Sequence, residues 1–322
     1  MSRNPQGYTS IINEPSIGQA YEAFELRCEA KGLSPLTCGW YRQILSLFQR
    51  FLESQGVTDI RRIDAPLIRS YLCHMRRHGK ASGTIARTYG GLRCFFGFLS
   101  RERMIPQNPA AILEKPRMER KLIRPLTVDQ VRRLLAQPTQ TTFMSVRTWT
   151  VIILILDTGL RVSEVLGLTL DQVDIHHGLL RVMGKGAKER EVPMGRTCRQ
   201  ALSRYVLRRG KIPDQDLGFV SRFGNRMGRG SLRLAFRRLG REAGLTGVRV
   251  SPHTLRHTFA THYIMNGGDV FSLQQILGHS TLDMVRVYVR LANRDVTLQH
   301  RRFSPIDNLG GLPGSRKRVV LR

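Results

Sequence analysis

The sequence predicts a mainly α-helical protein with a small antiparallel β-sheet, built as a helical N-terminal domain followed by a larger domain that carries the sheet. Three observations predict it. Apolar residues in the first hundred positions recur at helical spacing without strand-like alternation. One pair of strand-like runs, Leu179–Met183 and Glu191–Met194, brackets the glycine-bearing turn GKGAKE. Between the helical first hundred residues and those runs, the segment PQNPAAILEKPRMERKLIRP (106–125) holds four prolines and seven charged residues, a composition that cannot sustain a helix for long.

Each element has its own warrant. A helix over Ile17–Ala30 puts Ala20, Phe24 and Leu26 on or near one face, and Pro35–Ser54 carries Trp40, Ile44, Leu47, Phe48 and Phe51. Asp64 caps a third helix with Pro66 in its first turn and Leu67, Tyr71 and Met75 at fourfold spacing. Ser82 opens a fourth that runs through Phe95, Phe96 and Leu99 to Arg101. Residues 14–105 are therefore expected to form a helical domain, and 106–124 a linker that buries little.

A second domain is expected over 125–300. Thr127 and Gln130 form a T-x-x-Q capping box at its first helix, and an apolar helix at about 145–156 should lie at the centre of its core. After the two strands, helices are expected at 196–209, 231–243, 252–265, 271–277 and 282–289. The glycines, prolines and basic residues of 301–322 predict a flexible basic tail.

Composition narrows the function. The 322 residues include 52 Lys and Arg against 24 Asp and Glu, a net charge of +28 spread over both halves of the chain. Such a balance predicts a polyanionic partner bound in a salt-sensitive way. A membrane role is disfavoured, because the longest purely apolar run, Val151–Leu156, is too short to span a bilayer, and the N-terminus lacks the apolar stretch of a secretory leader. Five cysteines, Cys28, Cys38, Cys73, Cys94 and Cys198, occur without a C-x-x-C pair, as reduced thiols of a cytoplasmic protein with no metal centre.

The residues that point to chemistry lie at wide intervals in the second domain. Ser251-Pro252-His253 reads as a helix start: a serine N-cap, a proline in the first turn, and unpaired backbone N–H groups that favour a phosphate. His253 and Arg256 are three apart and share a face of that helix. Lys185 stands between Gly184 and Gly186 at the tip of the two-stranded ribbon. Arg161 follows Gly159 in D-T-G-L-R-V-S-E, with Glu164 three residues on to orient its guanidinium if a helix follows. His279 lies in L-G-H-S, and Tyr288 nine residues later in V-R-V-Y-V. Taken one at a time, each has an ordinary alternative: a wet helix face, a solvated lysine, a surface ion pair worth little, a core histidine, or a packed tyrosine.

In combination, R-x-S-E, G-K-G-x-K-E-R, H-T-L-R-H and L-G-H-S followed by a tyrosine resemble the tyrosine recombinase (phage integrase) family. The resemblance covers residues 125–300, and its intervals are 24 residues from Arg161 to Lys185, 23 from Arg256 to His279 and nine from His279 to Tyr288. It implies a catalytic domain of that family behind a helical core-binding domain that clamps DNA. Arg42, Arg87 and Arg93 are then candidates for DNA contact, on architecture alone.

The mechanism implied by the resemblance needs no metal or nucleotide cofactor. Tyr288 attacks a phosphodiester to give a 3′-phosphotyrosyl link and a free 5′-hydroxyl. His253 takes its proton, with water or a neighbouring group as the alternative base; Arg161 and Arg256 clamp the non-bridging oxygens, Lys185 protonates the leaving oxygen, and His279 donates a hydrogen bond, with Glu164 and His257 supporting the set. Strand exchange through a Holliday junction then needs two duplexes bearing DNA recombination sites and a homotetramer, with an accessory directionality factor as a further partner. The basic tail inclines the reading towards a mobile-element integrase. Alternatives are a chromosome-dimer or transposon resolvase of the same family, a type IB topoisomerase, and a sequence-specific DNA-binding protein that never cuts.

Overall fold

A computed structural model describes residues 16–119, 124–184, 189–210, 216–278, 288, 300 and 303–306. The chain divides into two compact units, residues 1–121 and 122–322.

The first unit holds four helices, α1 (Ile17–Ala30), α2 (Pro35–Ser54), α3 (Ala65–Arg77) and α4 (Ser82–Arg101). Their starts follow from local chemistry. Ser16 and Gln19 form a reciprocal capping box on α1, Ser34 accepts from the Thr37 N–H with Pro35 beside it, and Asp64 accepts from the Leu67 N–H ahead of Pro66. Each such cap is worth about 1 kcal/mol. The helices close on Phe24, Phe48, Leu52, Ile68, Leu92, Phe95 and Phe96, all fully buried. Burial of each of these side chains contributes about 1.5–3 kcal/mol.

Two expectations need correction in this unit. Leu26 is 66% exposed, because the apolar stripe of α1 runs Ile17, Ala20, Phe24, Cys28 at steps of three and four and leaves Leu26 outside it. The segment expected to bury little begins by packing on its own unit: Ala110 and Leu113 are buried, and the Tyr89 hydroxyl lies 2.7 Å from the Leu113 carbonyl oxygen and 3.3 Å from that of Ala110. Asn108 donates to the Arg93 carbonyl at 3.0 Å. A buried tyrosine on α4 thus supplies a donor to the Ala110 and Leu113 carbonyls in a segment whose prolines lack N–H groups.

The second unit is organised around α6 (Phe143–Thr158), preceded by α5 (Val128–Ala136) with its Thr127/Gln130 capping box. Val151, Ile152, Leu154 and Ile155 of α6 are fully buried. α7 (Val162–Gly167) leads into a three-stranded antiparallel sheet, β1 (Val173–Asp174), β2 (Leu179–Met183) and β3 (Glu189–Pro193), in the order β1-β2-β3. Leu180 pairs with Val192 in the register, and both point into the core. Helices α8 (Arg196–Arg209), α9 (Arg229–Glu242), α10 (Pro252–Met265) and α11 (Val270–Leu277) follow, with α8 and α10 packed on α6.

The sheet has a third strand that the sequence did not announce, and β3 begins two residues earlier than expected because Glu189 and Arg190 pair with Met183 and Val182. The GKGAKE turn from Lys185 onward, the helix expected at 282–289 apart from Tyr288, and most of the tail expected at 301–322 lie outside the described residues. Within that tail Ser304 is buried. All five cysteines carry free thiols. Among the described residues no helix is long and apolar enough to cross a membrane.

Candidate active site

The site forms where α6 ends, α7 begins and α10 and α11 meet them. Gly159 caps α6 in the left-handed conformation at φ 63°, and a Cβ there would lie 2.4 Å from Cδ1 of Phe259 on α10. Only glycine lets the chain turn so tightly against α10. The turn delivers Arg161 as the N-cap residue of α7, and Glu164 reaches back to it.

Glu164 is buried, and its carboxylate accepts four hydrogen bonds. Oε1 takes one from Arg161 Nη1 at 2.8 Å and one from Arg190 Nη1 at 3.0 Å. Oε2 takes the Arg161 backbone N–H at 2.7 Å and Arg190 Nη2 at 3.0 Å. Burial acts to raise the Glu164 pKa, but the bonds from Arg190 and Arg161 outweigh it and hold the carboxyl below the ordinary carboxylate range. The exposed ion pair of little worth, left open by the sequence for Arg161 and Glu164, is therefore replaced by a buried three-residue network.

Ser251 caps α10 by accepting from the Thr254 N–H, with Pro252 in the first turn, so His253 and Arg256 face the site from one side of the helix. Arg256 is 5% exposed and donates to the carbonyl oxygens of Gly159 at 2.6 Å and Leu277 at 2.8 Å. Arg161 Nη2 donates to the next carbonyl after Leu277, that of Gly278, at 3.1 Å. Two guanidiniums from α7 and α10 are thereby pinned to consecutive carbonyls at the end of α11. Burial, then the neighbouring Arg161 charge, pushes the Arg256 pKa down to about 10, which still leaves it protonated at neutral pH. His253 is exposed at its rim, yet burial and the Arg256 charge lower its pKa, so the ring is neutral near pH 7.

Tyr288 is buried with Phe259, Ala260, Ile264, Leu273 and Leu277, and its ring centroid lies 5.0 Å from that of His257 at an interplanar angle of 52°. Burial holds the phenol pKa above its ordinary value, and the Arg256 and Arg161 guanidiniums offset only part of that rise.

The structure brings together Arg161, Glu164, Arg256, His257 and Tyr288, with His253 at the rim of the same helix. Lys185 and His279 lie outside the described residues. Arg42, Arg87 and Arg93 belong to the other unit: Arg87 and Arg93 are exposed on α4, and Arg42 on α2 is tied to Glu25 at 2.7 Å. Arg190 was not singled out by sequence. Its signal was present: in β3 it is on the inward face with Val192, where a charged residue needs a partner.

Comparison with known proteins identifies the family. The sequence profile of the phage integrase family matches residues 124–294, and that of the N-terminal SAM-like domain of phage integrases matches 24–103. The chain belongs to the phage integrase family. It is a tyrosine recombinase, 35% identical to tyrosine recombinase XerD of Shewanella oneidensis over 86% of this chain and 93% of that one. It is 36% identical to tyrosine recombinase XerC of Chromohalobacter salexigens over 80% and 86%. In fold the recombinase is similar to the Tn1549 transposon integrase in complex with a circular intermediate DNA, with a TM-score of 0.71 at 21% identity over 91% of this chain and 99% of that one. It is likewise similar to a lambda integrase dimer bound to a core site, at 0.70 and 19% over 84% and 97%.

Proposed function

We propose that this recombinase cuts and rejoins double-stranded DNA at specific sites through a 3′-phosphotyrosyl intermediate on Tyr288. The observation that carries the reading is that Arg161 and Arg256 are held on the Gly278 and Leu277 carbonyls while Tyr288 is buried in one cluster with Leu277, its ring 5.0 Å from that of His257. A buried phenol gives up its proton only when cations offset the phenolate and a base receives the proton. Neutral His253 in the first turn of α10 is that base, and the arginines stabilise the charge that grows on the phosphate oxygens. Lys185 protonates the 5′ leaving oxygen and His279 donates to the phosphate.

Residues 14–105 act as the clamp on the duplex, with Arg42, Arg87 and Arg93 as phosphate contacts, and 125–300 as the catalytic domain. Exchange proceeds through a Holliday junction in a homotetramer on two duplexes, in the cytoplasm, with a directionality factor where the reaction must run one way. The test is covalent trapping in EDTA on nicked duplexes from DNA flanking the gene. Wild type forms a denaturation-resistant adduct and Tyr288→Phe forms none; an adduct from both variants, or from neither while DNA is bound, contradicts the reading.

In its finer form the task is integration and excision of a mobile element, supported by the basic composition of residues 301–322. A second reading, resolution of chromosome dimers, has the similarity to XerC and XerD over most of their lengths on its side. Sequencing the DNA joined to Tyr288 decides between them: ends at the boundary of an inserted element support the first, and ends at one fixed chromosomal locus support the second.

A further inference from the structure

We infer that Arg190 is a positioning residue for cleavage, acting as the counter-ion of Glu164 so that Arg161 keeps its positive charge for the scissile phosphate. The inference rests on the phosphodiester chemistry proposed above. It starts from how the two arginines divide the carboxylate. The Arg190 side chain is 13% exposed and lays a planar fork across both Glu164 oxygens at 3.0 Å. That is the strongest geometry a guanidinium offers a carboxylate. Arg161, at 34% side-chain exposure, spends one side-chain N–H on Glu164 and one on the Gly278 carbonyl. The rest of its five N–H groups remain for a ligand.

Charge bookkeeping then assigns the roles. With Arg190 in place, Arg161, Glu164 and Arg190 together carry +1. Without it the carboxylate, only 4% exposed, has Arg161 as its one ion-pair partner among the described residues, and the pair is neutral. Because the carboxylate itself is only 4% exposed, that lost charge is felt by an incoming dianionic transition state. Arg190 also fixes where Arg161 points. Its Nε donates to the Ile276 carbonyl at 2.9 Å, and its guanidinium lies so close under Gly278, at φ 62°, that a Cβ there would meet it at 3.1 Å. Ile276, Leu277 and Gly278 are consecutive, and their carbonyls accept from Arg190, Arg256 and Arg161 in turn. One strand residue therefore sets the rail on which both phosphate-facing arginines rest.

The experiment is single-turnover adduct formation on a saturating nicked duplex, with DNA affinity and thermal melting measured alongside, for wild type, Tyr288→Phe, Arg190→Met, Arg190→Lys and the double variant Arg190→Met/Glu164→Gln. Arg190→Met is expected to cleave roughly tenfold to hundredfold more slowly, with affinity changed only a few-fold, because an electrostatic contribution to the transition state is lost rather than a DNA contact. Arg190→Lys falls between, restoring charge without the fork. The double variant recovers at least about tenfold over Arg190→Met, since removing the stranded carboxylate frees Arg161 again. A residue with a merely structural role gives a double variant no better than the single. Arg190→Met at the wild-type rate, or a double variant as slow as the single, overturns the inference. If Arg190→Met does not fold, a double variant slower than wild type by more than about a hundredfold overturns it. Absence of any adduct from wild type is scored before the variants and overturns the tyrosine chemistry itself, and this inference with it.

Discussion

Arg256 donates to the carbonyl oxygen of Gly159 at 2.6 Å, so the second turn of α10 is bonded to the residue that ends α6. The glycine required by a left-handed helix end and the arginine required by a phosphate are thus one structural unit, and a change in either is felt by the other.

Gly159→Ala tests that coupling. The left-handed conformation costs an alanine roughly 1–2 kcal/mol, and the added methyl group lands 2.4 Å from Phe259 and 2.7 Å from Leu277, which must move. Overpacking of this kind costs roughly 1–3 kcal/mol more. Urea unfolding should show a loss of at least about 2 kcal/mol. Adduct formation should fall with it at temperatures where the variant is still folded, because Arg256 loses its rail. An unchanged melt would remove the role given to this turn.

Breaking the buried network should depend on pH in a definite direction. The Glu164 pKa is lower folded than unfolded, so its stabilisation is present above the ordinary carboxylate value of about 4.3 and is lost as pH falls through the folded value. Glu164→Gln should therefore cost about 3–5 kcal/mol at pH 7, and the gap from wild type should narrow as the solution is acidified. Denaturant melts across that range check it; a gap independent of pH would mean that Glu164 is not the ionised partner of the two arginines.

His253 gives the cleavage reaction its acid limb. Burial and Arg256 depress its pKa, so it is a competent base at neutral pH and becomes protonated only below the ordinary histidine value of about 6.5. The rate of adduct formation should fall as pH drops through that lower range. In His253→Gln this limb should vanish and the overall rate drop by roughly a hundredfold or more. A His253→Gln profile that keeps the wild-type acid limb assigns the base elsewhere.

Tyr89→Phe removes the hydroxyl that lies 2.7 Å from the Leu113 carbonyl oxygen and 3.3 Å from that of Ala110. Leaving a buried acceptor unpaired costs about 1–3 kcal/mol. The expected readouts are a lower melting point and faster proteolytic cleavage within 106–119 of the full chain. Cleavage at the wild-type rate would show that this segment is held by its apolar contacts alone.

Helix ends were legible in the sequence because their causes are local. Asp64 with Pro66, Thr127 with Gln130, and Ser251 with Pro252 each satisfy orphan N–H groups within one turn, and the bounds of α1, α2, α4, α8 and α10 follow from such features and from apolar spacing. What was not legible depends on distance along the chain. β1 is two residues long and has no periodicity to read. Whether Arg190 was solvated or buried turned on a carboxylate 26 residues away, and the docking of 110–113 on a tyrosine more than 20 residues earlier. The order of Arg161, Arg256 and Tyr288 could be read directly. Their convergence could not, since it is made by bonds such as Arg256 to Gly159 and Arg161 to Gly278, which span 97 and 117 residues.

The most direct measurement is mass spectrometry of the trapped adduct after digestion of protein and DNA. A nucleotide 3′-phosphate on the tryptic peptide 287–290, VYVR, places the covalent bond on Tyr288, as its burial beside Leu277 and His257 in the site of Arg161 and Arg256 predicts. A nucleotide carried by any other peptide, or an adduct that survives in Tyr288→Phe, contradicts it.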